Sequence, residues 1–198
     1  MSKPAVLPPS DLPFLFRARD LRERGIPRWR VQPWLSTGRV TRVAWGLYRV
    51  AGAPETELET LAAVARTVPE GVFCLLTALR VHEIGTQSPA QVWMALDRKA
   101  WLPDASPWRV RFVRWSRPML HVGVEHRSVH GVTIPVTTVA RTVVDCFRYR
   151  NKIGLDVGLE ALEESLRDRR VEVDQLMAMA RACRATTVLR PYLQSLAR

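Results

Sequence analysis

Between Arg17 and Val50 the chain changes its hydrophobic period twice, and this succession constrains the fold more than any other feature. Apolar residues first recur with the 3.6-residue period of a helix, around Leu21 and again around Trp34. After Gly38 they alternate with polar residues, as they do in a strand. The segment therefore predicts a helix, a tight turn, a second helix and a two-stranded ribbon.

Glycine and proline residues mark the ends of these elements. Gly25 suits a left-handed helix end, Pro27 suits the first turn of the next helix, and Gly38 closes that helix. Pro33 falls inside the second helix, which we expect to be kinked or divided into two short pieces. The order is that of a winged helix-turn-helix, in which one helix fits the DNA major groove and the ribbon lies against the neighbouring backbone or minor groove.

The ribbon interleaves apolar residues with arginines. We expect the apolar set to hold the ribbon to the helices while the arginines on the other face reach phosphates. Trp45 at the tip either contacts a sugar or minor groove or folds back onto the core, and the sequence leaves both open. The residues predicted to contact double-stranded DNA are Arg17, Arg28, Trp29, Arg30, Gln32, Ser36, Arg39, Arg42, Trp45 and Arg49. Of these, Arg28, Arg30 and Gln32 are placed to read base edges.

The distribution of charge agrees with this interpretation. The net charge is +11, and residues 1–51 alone carry ten Lys and Arg against three acidic residues, a balance of +7. Such a potential attracts polyanions, although charge alone leaves membrane surfaces and acidic proteins open. No apolar run has the length of a membrane span, and no secretion signal is evident. The three widely spaced cysteines predict reduced core residues of a cytoplasmic protein.

Residues 51–57 form a short polar linker, which predicts a boundary between a DNA-binding domain at 1–51 and a second domain at 56–198. The pattern beyond it predicts helices at about 57–68, 73–83, 138–149, 155–168, 173–183 and one ending near Leu196. It predicts strands at 91–96, 108–115 and 122–136, the last with a turn at His130-Gly131. The predicted fold class is α+β, with an N-terminal winged helix-turn-helix followed by a mixed α+β domain.

The segment "ARDLRERGIPRWRV…LSTGRVTRVAWGLYRV" closely resembles the N-terminal domain of AbiEi-family antitoxins of type IV toxin–antitoxin systems. The resemblance continues through "LLTALRVHEIG" (75–85), "IPVTTVARTVVDCF" (134–147) and "GLEALEESLRDRRVEVDQL" (158–176). It implies a repressor of its own promoter that also counteracts a neighbouring nucleotidyltransferase-like toxin, with no catalysis, cofactor or small-molecule substrate. In that family the winged domain usually opens with a full helix, for which "PPSDLPFLF" (8–16) leaves one or two turns at most.

Two other functions remain open. One is a transcription factor of the same build without a toxin. The other is a metal-dependent nuclease, in which Asp97 holds the metal and Lys99 orients water after a strand. That site needs a second carboxylate, and nothing in the sequence ties Glu83 or Glu125 to it. The alternative interpretation of Asp97 and Lys99 is a charged strand end, and no catalytic or metal-binding residue is predicted.

Three further groups have both a structural and a functional interpretation. His121, His126 and His130 predict surface or hairpin positions in preference to a zinc site, because no cysteine lies near them. Arg141 and Asp145 predict an ion pair on one helix or anchor points for the domain. The acidic row Asp156, Glu160, Glu163 and Glu164 predicts a solvated helix face, with a contact to a basic surface as the alternative.

Overall fold

A computed structural model describes residues 7–52, 57–129 and 131–196, and the chain divides into two units after Pro69. The first unit also includes the short segments Asp104–Trp108 and Ser128–Ile134. Helices and strands occur in both units, which confirms the predicted α+β class. The central residues of the predicted linker, 53–56, and His130 of the predicted hairpin turn lie outside the described residues.

The described residues of the first unit up to Pro69 contain seven elements: β1 (Leu15–Arg17), α1 (Ala18–Glu23), a 3₁₀ turn (Arg28–Arg30), α2 (Val31–Ser36), β2 (Val40–Ala44), β3 (Leu47–Val50) and α3 (Glu57–Thr67). Its strands form an antiparallel sheet in the order β1-β3-β2. Helix, turn, helix and ribbon therefore follow one another in the expected order. Strand β1, which precedes them, was not predicted, and it makes β3 the central strand of the sheet.

The local signals for helix ends act as the sequence indicates. Gly25 and Gly38 have φ angles of +65° and +68°, in the left-handed region that glycine adopts without a steric penalty. Pro33 is the third residue of α2, where its missing N–H would have no partner within the helix. The second predicted helix is thus divided into a 3₁₀ turn and a short α-helix. No helix forms at 7–14, the proline-containing segment.

Strand β3 is buried on both of its faces. On one face Tyr48 stacks on Phe16 of β1, with ring centroids 5.5 Å apart, and both belong to a cluster with Trp34 of α2. Leu15 and Leu47 alternate with these residues, are fully buried, and lie on the opposite face. Helix α3 packs against β1 and β3. The sheet is therefore enclosed between two layers of helices.

The position of α3 changes the extent of the first unit. The sequence places a domain boundary at residues 51–56 and assigns this helix to the second domain. In the structure the helix groups with β1 and β3, and the first unit continues to Pro69. The physical reason is that the second face of the sheet, formed by Leu15 and Leu47, needs an apolar cover.

The second unit is built on a five-stranded sheet in the order β6-β5-β4-β8-β7. Its strands are β4 (Val72–Phe73), β5 (Val92–Asp97), β6 (Val110–Trp115), β7 (Val124–Val129) and β8 (Val132–Thr137). Its helices are α4 (Leu75–Val81), α5 (Val139–Arg148), α6 (Arg150–Ile153), α7 (Leu155–Arg167), α8 (Val173–Ala182) and α9 (Thr186–Leu196). These agree with the predicted elements, except that the two-residue β4 and the single turn α6 were not predicted.

A buried ion pair lies at the centre of the second unit, on α5. Arg141 and Asp145 have no exposed surface, and Arg141 Nε donates to Asp145 Oδ2 at 2.6 Å. Arg148 Nη1 donates to the other carboxylate oxygen at 2.7 Å and keeps 28% of its side chain exposed. The predicted ion pair is therefore present, and it is fully desolvated.

The same arginine connects α5 to strand β6 and to the segment that follows it. Arg141 Nη1 donates to the carbonyl oxygens of Met119 and Val122, and its guanidinium lies 4.2 Å from the ring centroid of Trp115 on β6. Trp115 Nε1 in turn donates to Tyr149 Oη at 2.9 Å. Arg141 therefore anchors the domain, which is the second of the two roles that the sequence left open.

We expect Arg141→Ala to reduce the free energy of unfolding by about 3–5 kcal/mol. The substitution leaves Asp145 buried with only one partner, and two carbonyl oxygens lose the donor that Arg141 supplies. The matched variant Arg148→Ala keeps the buried pair and should cost about 1–2 kcal/mol. Urea denaturation of the full chain measures both values. A loss below 1 kcal/mol for Arg141→Ala would contradict the assigned role.

Candidate nucleic-acid interface

The residues predicted to enter the groove form the outer face of the 3₁₀ turn and α2. Arg28, Gln32 and Ser36 are exposed, and Trp29 keeps 68% of its surface accessible. Arg30 is half-buried, with its guanidinium 5.8 Å from the Trp29 ring centroid. On the inner face of the same segment, Val31 and Trp34 are buried. The candidate contact residues and the buried apolar residues thus lie on opposite faces of this segment.

Trp45 stands at the tip of the β2–β3 hairpin and is 91% exposed. The next residue, Gly46, has a φ angle of +66°, which lets the chain reverse within two residues. The interpretation in which Trp45 folds back onto the core is therefore wrong. Its indole is free to contact a ligand.

The arginines of the hairpin do not share one free face, contrary to the sequence-based expectation. A bulge at Val43 shifts the register, so Arg42 lies opposite Tyr48 and its guanidinium is 5.8 Å from that ring. Arg42 is exposed at the edge of the core face. Arg39 precedes β2 and is half-buried. The reason for the difference is that both faces of the sheet carry helices, so neither face is left for a row of cations.

Arg49 forms an ion pair within the unit, and the backbone of Arg17 contacts α1. Arg49 Nη1 donates to Glu59 Oε1 at 3.0 Å, and the Glu59 side chain is only 9% exposed. Arg17 is half-buried at the start of α1, where its backbone N–H donates to Asp20 Oδ2, and burial lowers the pKa of its guanidinium. Arg66 Nη1 of α3 donates to Asp20 Oδ1 at 3.3 Å. These contacts join α3 to the sheet and to α1.

The structure thus leaves eight of the ten predicted contacts at or near the surface of the first unit: Arg28, Trp29, Arg30, Gln32, Ser36, Arg39, Arg42 and Trp45. It also exposes two cations on α1, Arg19 and Arg22, that were not predicted as contacts. The signal for them was present as the alternation of charge in "RARDLRER", which gives α1 an outward basic face.

In the second unit, Asp97 and Lys99 form a local turn. Asp97 ends β5, and its Oδ1 accepts the backbone N–H of Lys99 at 2.9 Å. Arg114 Nη1 donates to the Asp97 carbonyl oxygen at 2.7 Å. In the part of the chain that the structure describes, no three His, Cys, Asp or Glu side chains converge as metal ligands. The contacts of Asp97 are those of a strand end.

Two histidines of the second unit lie at the surface, as predicted, and a third is buried. His121 and His126 are exposed. His82 is 4% exposed, its Nε2 lies 2.6 Å from the Thr137 carbonyl oxygen, and its Nδ1 lies 3.1 Å from Arg127 Nη2. Burial lowers the pKa of His82, and a neutral ring that donates from Nε2 satisfies both contacts. His82 therefore links α4 to β8.

The acidic row on α7 is only partly solvated. Asp156 and Glu163 are exposed, as predicted. By contrast, a Glu164 carboxylate oxygen accepts the N–H of Gly85 at 2.8 Å, and Glu160 Oε1 accepts that of Thr86 at 3.0 Å. Half of the row therefore holds the loop that follows α4.

Comparisons with known proteins show a similarity of fold. No family model and no curated protein matches the chain. Among solved structures, the crystal structure of the RV2827C protein from Mycobacterium tuberculosis is similar, with a TM-score of 0.52 at 12% identity over 86% of this chain and 67% of that one. At this identity the similarity concerns the fold alone. No helix of the described residues is long and apolar enough to cross a membrane.

We expect Arg49→Ala to lower the free energy of unfolding by about 1–3 kcal/mol, because it leaves Glu59 nearly buried without this partner. Arg42→Ala on the same hairpin removes an exposed side chain and should change stability by at most about 0.5 kcal/mol. Thermal and urea unfolding of the two variants make the comparison. Equal losses would mean that Arg49 is no more structural than Arg42.

Proposed function

We propose that the first unit is a winged helix-turn-helix that binds double-stranded DNA. The observation that carries this proposal is the outward face of the 3₁₀ turn and α2, where Arg28, Trp29 and Gln32 are exposed directly over a buried inner face. A second aromatic side chain, Trp45, projects from the adjoining hairpin. The residues from 1 to 51 carry a balance of +7, which supplies the attraction to phosphates.

The two exposed elements have different roles in this proposal. The 3₁₀ turn and α2 enter the major groove, where Arg28 can pair with guanine and Gln32 with adenine. Arg39 and Arg42 on the hairpin contact phosphates of the neighbouring backbone, and Trp45 contacts a sugar or the minor groove. Arg19 and Arg22 add phosphate contacts from α1. Arg49 is excluded because its side chain pairs with Glu59, and Arg17 is excluded because its Nε is buried at the start of α1.

We further propose that the chain represses its own promoter and acts as the antitoxin of an AbiE-like system. The support for this part is the sequence resemblance of both units to AbiEi-family antitoxins. The partner is then a neighbouring nucleotidyltransferase-like toxin, which the second unit counteracts directly or indirectly. A regulator without a toxin is the alternative, and it shares the DNA-binding half of the proposal.

Binding to the chain's own upstream DNA tests the first half. We expect Arg42→Ala to weaken binding to all sequences similarly and to reduce the salt slope by about one unit, because it removes one phosphate contact. Gln32→Ala should lose about 1–3 kcal/mol of discrimination at one base position and keep the salt slope. Arg190→Ala, an exposed arginine of α9, is the matched control and should change neither.

Gel shifts with competitor DNA over a range of salt give both quantities. A change of sequence preference in Arg42→Ala with an unchanged salt slope would reverse the assignment of roles. Unaltered binding in both variants would overturn the interface.

Co-expression with the neighbouring gene tests the second half. We expect the chain, supplied from an unrelated promoter, to restore growth of cells that express the toxin. The double variant Arg28→Ala/Arg42→Ala should restore growth equally, because the second unit carries this effect in the proposal. If the double variant loses repression of the promoter but fully restores growth, the two roles are separate. If the folded wild type does not restore growth, the regulator without a toxin is favoured.

A further inference from the structure

The second unit presents a row of cations along one edge of its sheet. Strand β6 is an edge strand in the order of the sheet. The segment 109–117 contains four arginines and no acidic residue, and all four are exposed: Arg109, Arg111, Arg114 and Arg117. Two more exposed cations, Arg98 and Lys99, follow the neighbouring strand β5. We call these six residues the basic edge.

The members after β5 and those after β6 lie at the same end of the sheet. The two strands are parallel and in register from Val92↔Val110 to Asp97↔Trp115. The backbone N–H of Arg98 donates to the Trp115 carbonyl oxygen at 2.7 Å, which places Arg98 beside the start of the segment that carries Arg117. Side chains along β6 alternate between the two faces of the sheet, so Arg111, whose guanidinium lies 4.5 Å from the Trp93 ring centroid, and Arg114 project on opposite sides of the edge. The cations extend over about 20 Å at the usual rise per residue.

The loop that follows β5 is held by hydrogen bonds from the Arg114 side chain to its backbone. Arg114 Nη1 donates to the carbonyl oxygens of Asp97 and Ala100, at 2.7 and 2.8 Å. These acceptors are neutral, so the charge of Arg114 is not cancelled by them. Among the described residues, no carboxylate forms an ion pair with any of the six cations of the basic edge, whereas Arg127 and Arg148 elsewhere in the unit have such partners.

Trp101 projects from this fixed loop with 94% of its surface exposed. An indole is large and apolar, so a position almost wholly in water leaves a favourable contact unmade. The neighbouring Leu102 is also exposed, at 53%. The loop therefore presents an exposed aromatic ring beside the cations at this end of the basic edge.

A sheet edge with exposed cations and one free aromatic ring matches the chemistry of an unpaired nucleic-acid strand. Arginine pairs with phosphate through a planar fork of donors, and an exposed indole stacks on any base that is not paired. Cations on an edge strand also prevent pairing with another strand, so the edge is not suited to a second sheet. An anionic membrane would instead need several apolar side chains at the tip of the loop.

We propose that the basic edge binds single-stranded nucleic acid without sequence preference, with its arginines on phosphates and Trp101 stacked on a base. This surface belongs to the second unit and is separate from the duplex-binding face proposed for the first. It does not depend on that proposal, because it uses none of the same residues.

Binding of the full-length chain to a fluorescent oligothymidylate of about 12 nucleotides tests the proposal. We expect Arg98→Ala/Arg117→Ala to reduce the salt slope by about 1.4 units, at about 0.7 for each lost contact with a single strand. Arg181→Ala/Arg190→Ala removes two exposed cations from α8 and α9 and is the matched control of equal net charge. It should leave the slope unchanged.

The tryptophan is tested separately. We expect Trp101→Ala to weaken oligothymidylate binding about tenfold, and Trp101→Phe to retain most of the affinity, because phenylalanine also stacks on bases. Position 101 is exposed, so the unfolding midpoints of both variants should equal that of the wild type. Trp101→Ala should weaken oligothymidylate binding by the same factor in the first-unit variant Arg28→Ala/Arg42→Ala as in the wild type. This result distinguishes the basic edge from the proposed duplex site.

Four results would each overturn the proposal. They are equal losses in the two double variants, an unchanged affinity in Trp101→Ala, and competition by an unlabelled duplex as effective as that by the single strand. The fourth is binding to anionic phosphatidylserine vesicles that depends on Trp101 while oligothymidylate is not bound, which would identify the edge as a membrane contact.

Discussion

Enclosure of β3 on both faces is the constraint on which the rest of the first unit depends. The stacking of Tyr48 on Phe16 fixes the face toward α1 and α2, and the burial of Leu47 fixes the face toward α3. A hairpin fixed in this way projects its turn in one direction. Trp45 is exposed because it lies in the turn, beyond the part of the hairpin that packs on both faces.

The short-range features of the first unit could be predicted from the sequence. Helix ends at Gly25 and Gly38 follow from residues within one turn, and the division of the second helix follows from Pro33. Strand β1 has only three residues, which is too few for a periodic signal. The role of Arg49 depends on Glu59 of α3, and no local pattern contains that information.

In the second unit, too, some features could be predicted from the local sequence and others could not. Its long helices and β-branched strands were predictable, since each has a clear period. The acidic residues of α7 look alike in the sequence, yet Glu160 and Glu164 accept backbone N–H groups of residues more than seventy positions away, whereas Asp156 and Glu163 do not. The difference arises because the loop after α4 passes beside Glu160 and Glu164 of α7. The path of that loop is a property of the whole fold. The exposure of the candidate contact residues on the 3₁₀ turn and α2 was predicted better, because exposure on a short amphipathic helix follows from its period.

The shortness of the divided helix has a consequence for how much DNA the first unit can read. The 3₁₀ turn has three residues and α2 has six. At rises of about 2.0 and 1.5 Å per residue they extend over roughly 15 Å. Base pairs are spaced by about 3.4 Å, so such an element spans about four steps of the duplex. Four base pairs recur by chance about every few hundred, and genomes offer at least about a million competing sites. In the proposed function, recognition of one promoter therefore requires copies of the chain on adjacent half-sites, and the promoter is expected to carry a repeated short sequence.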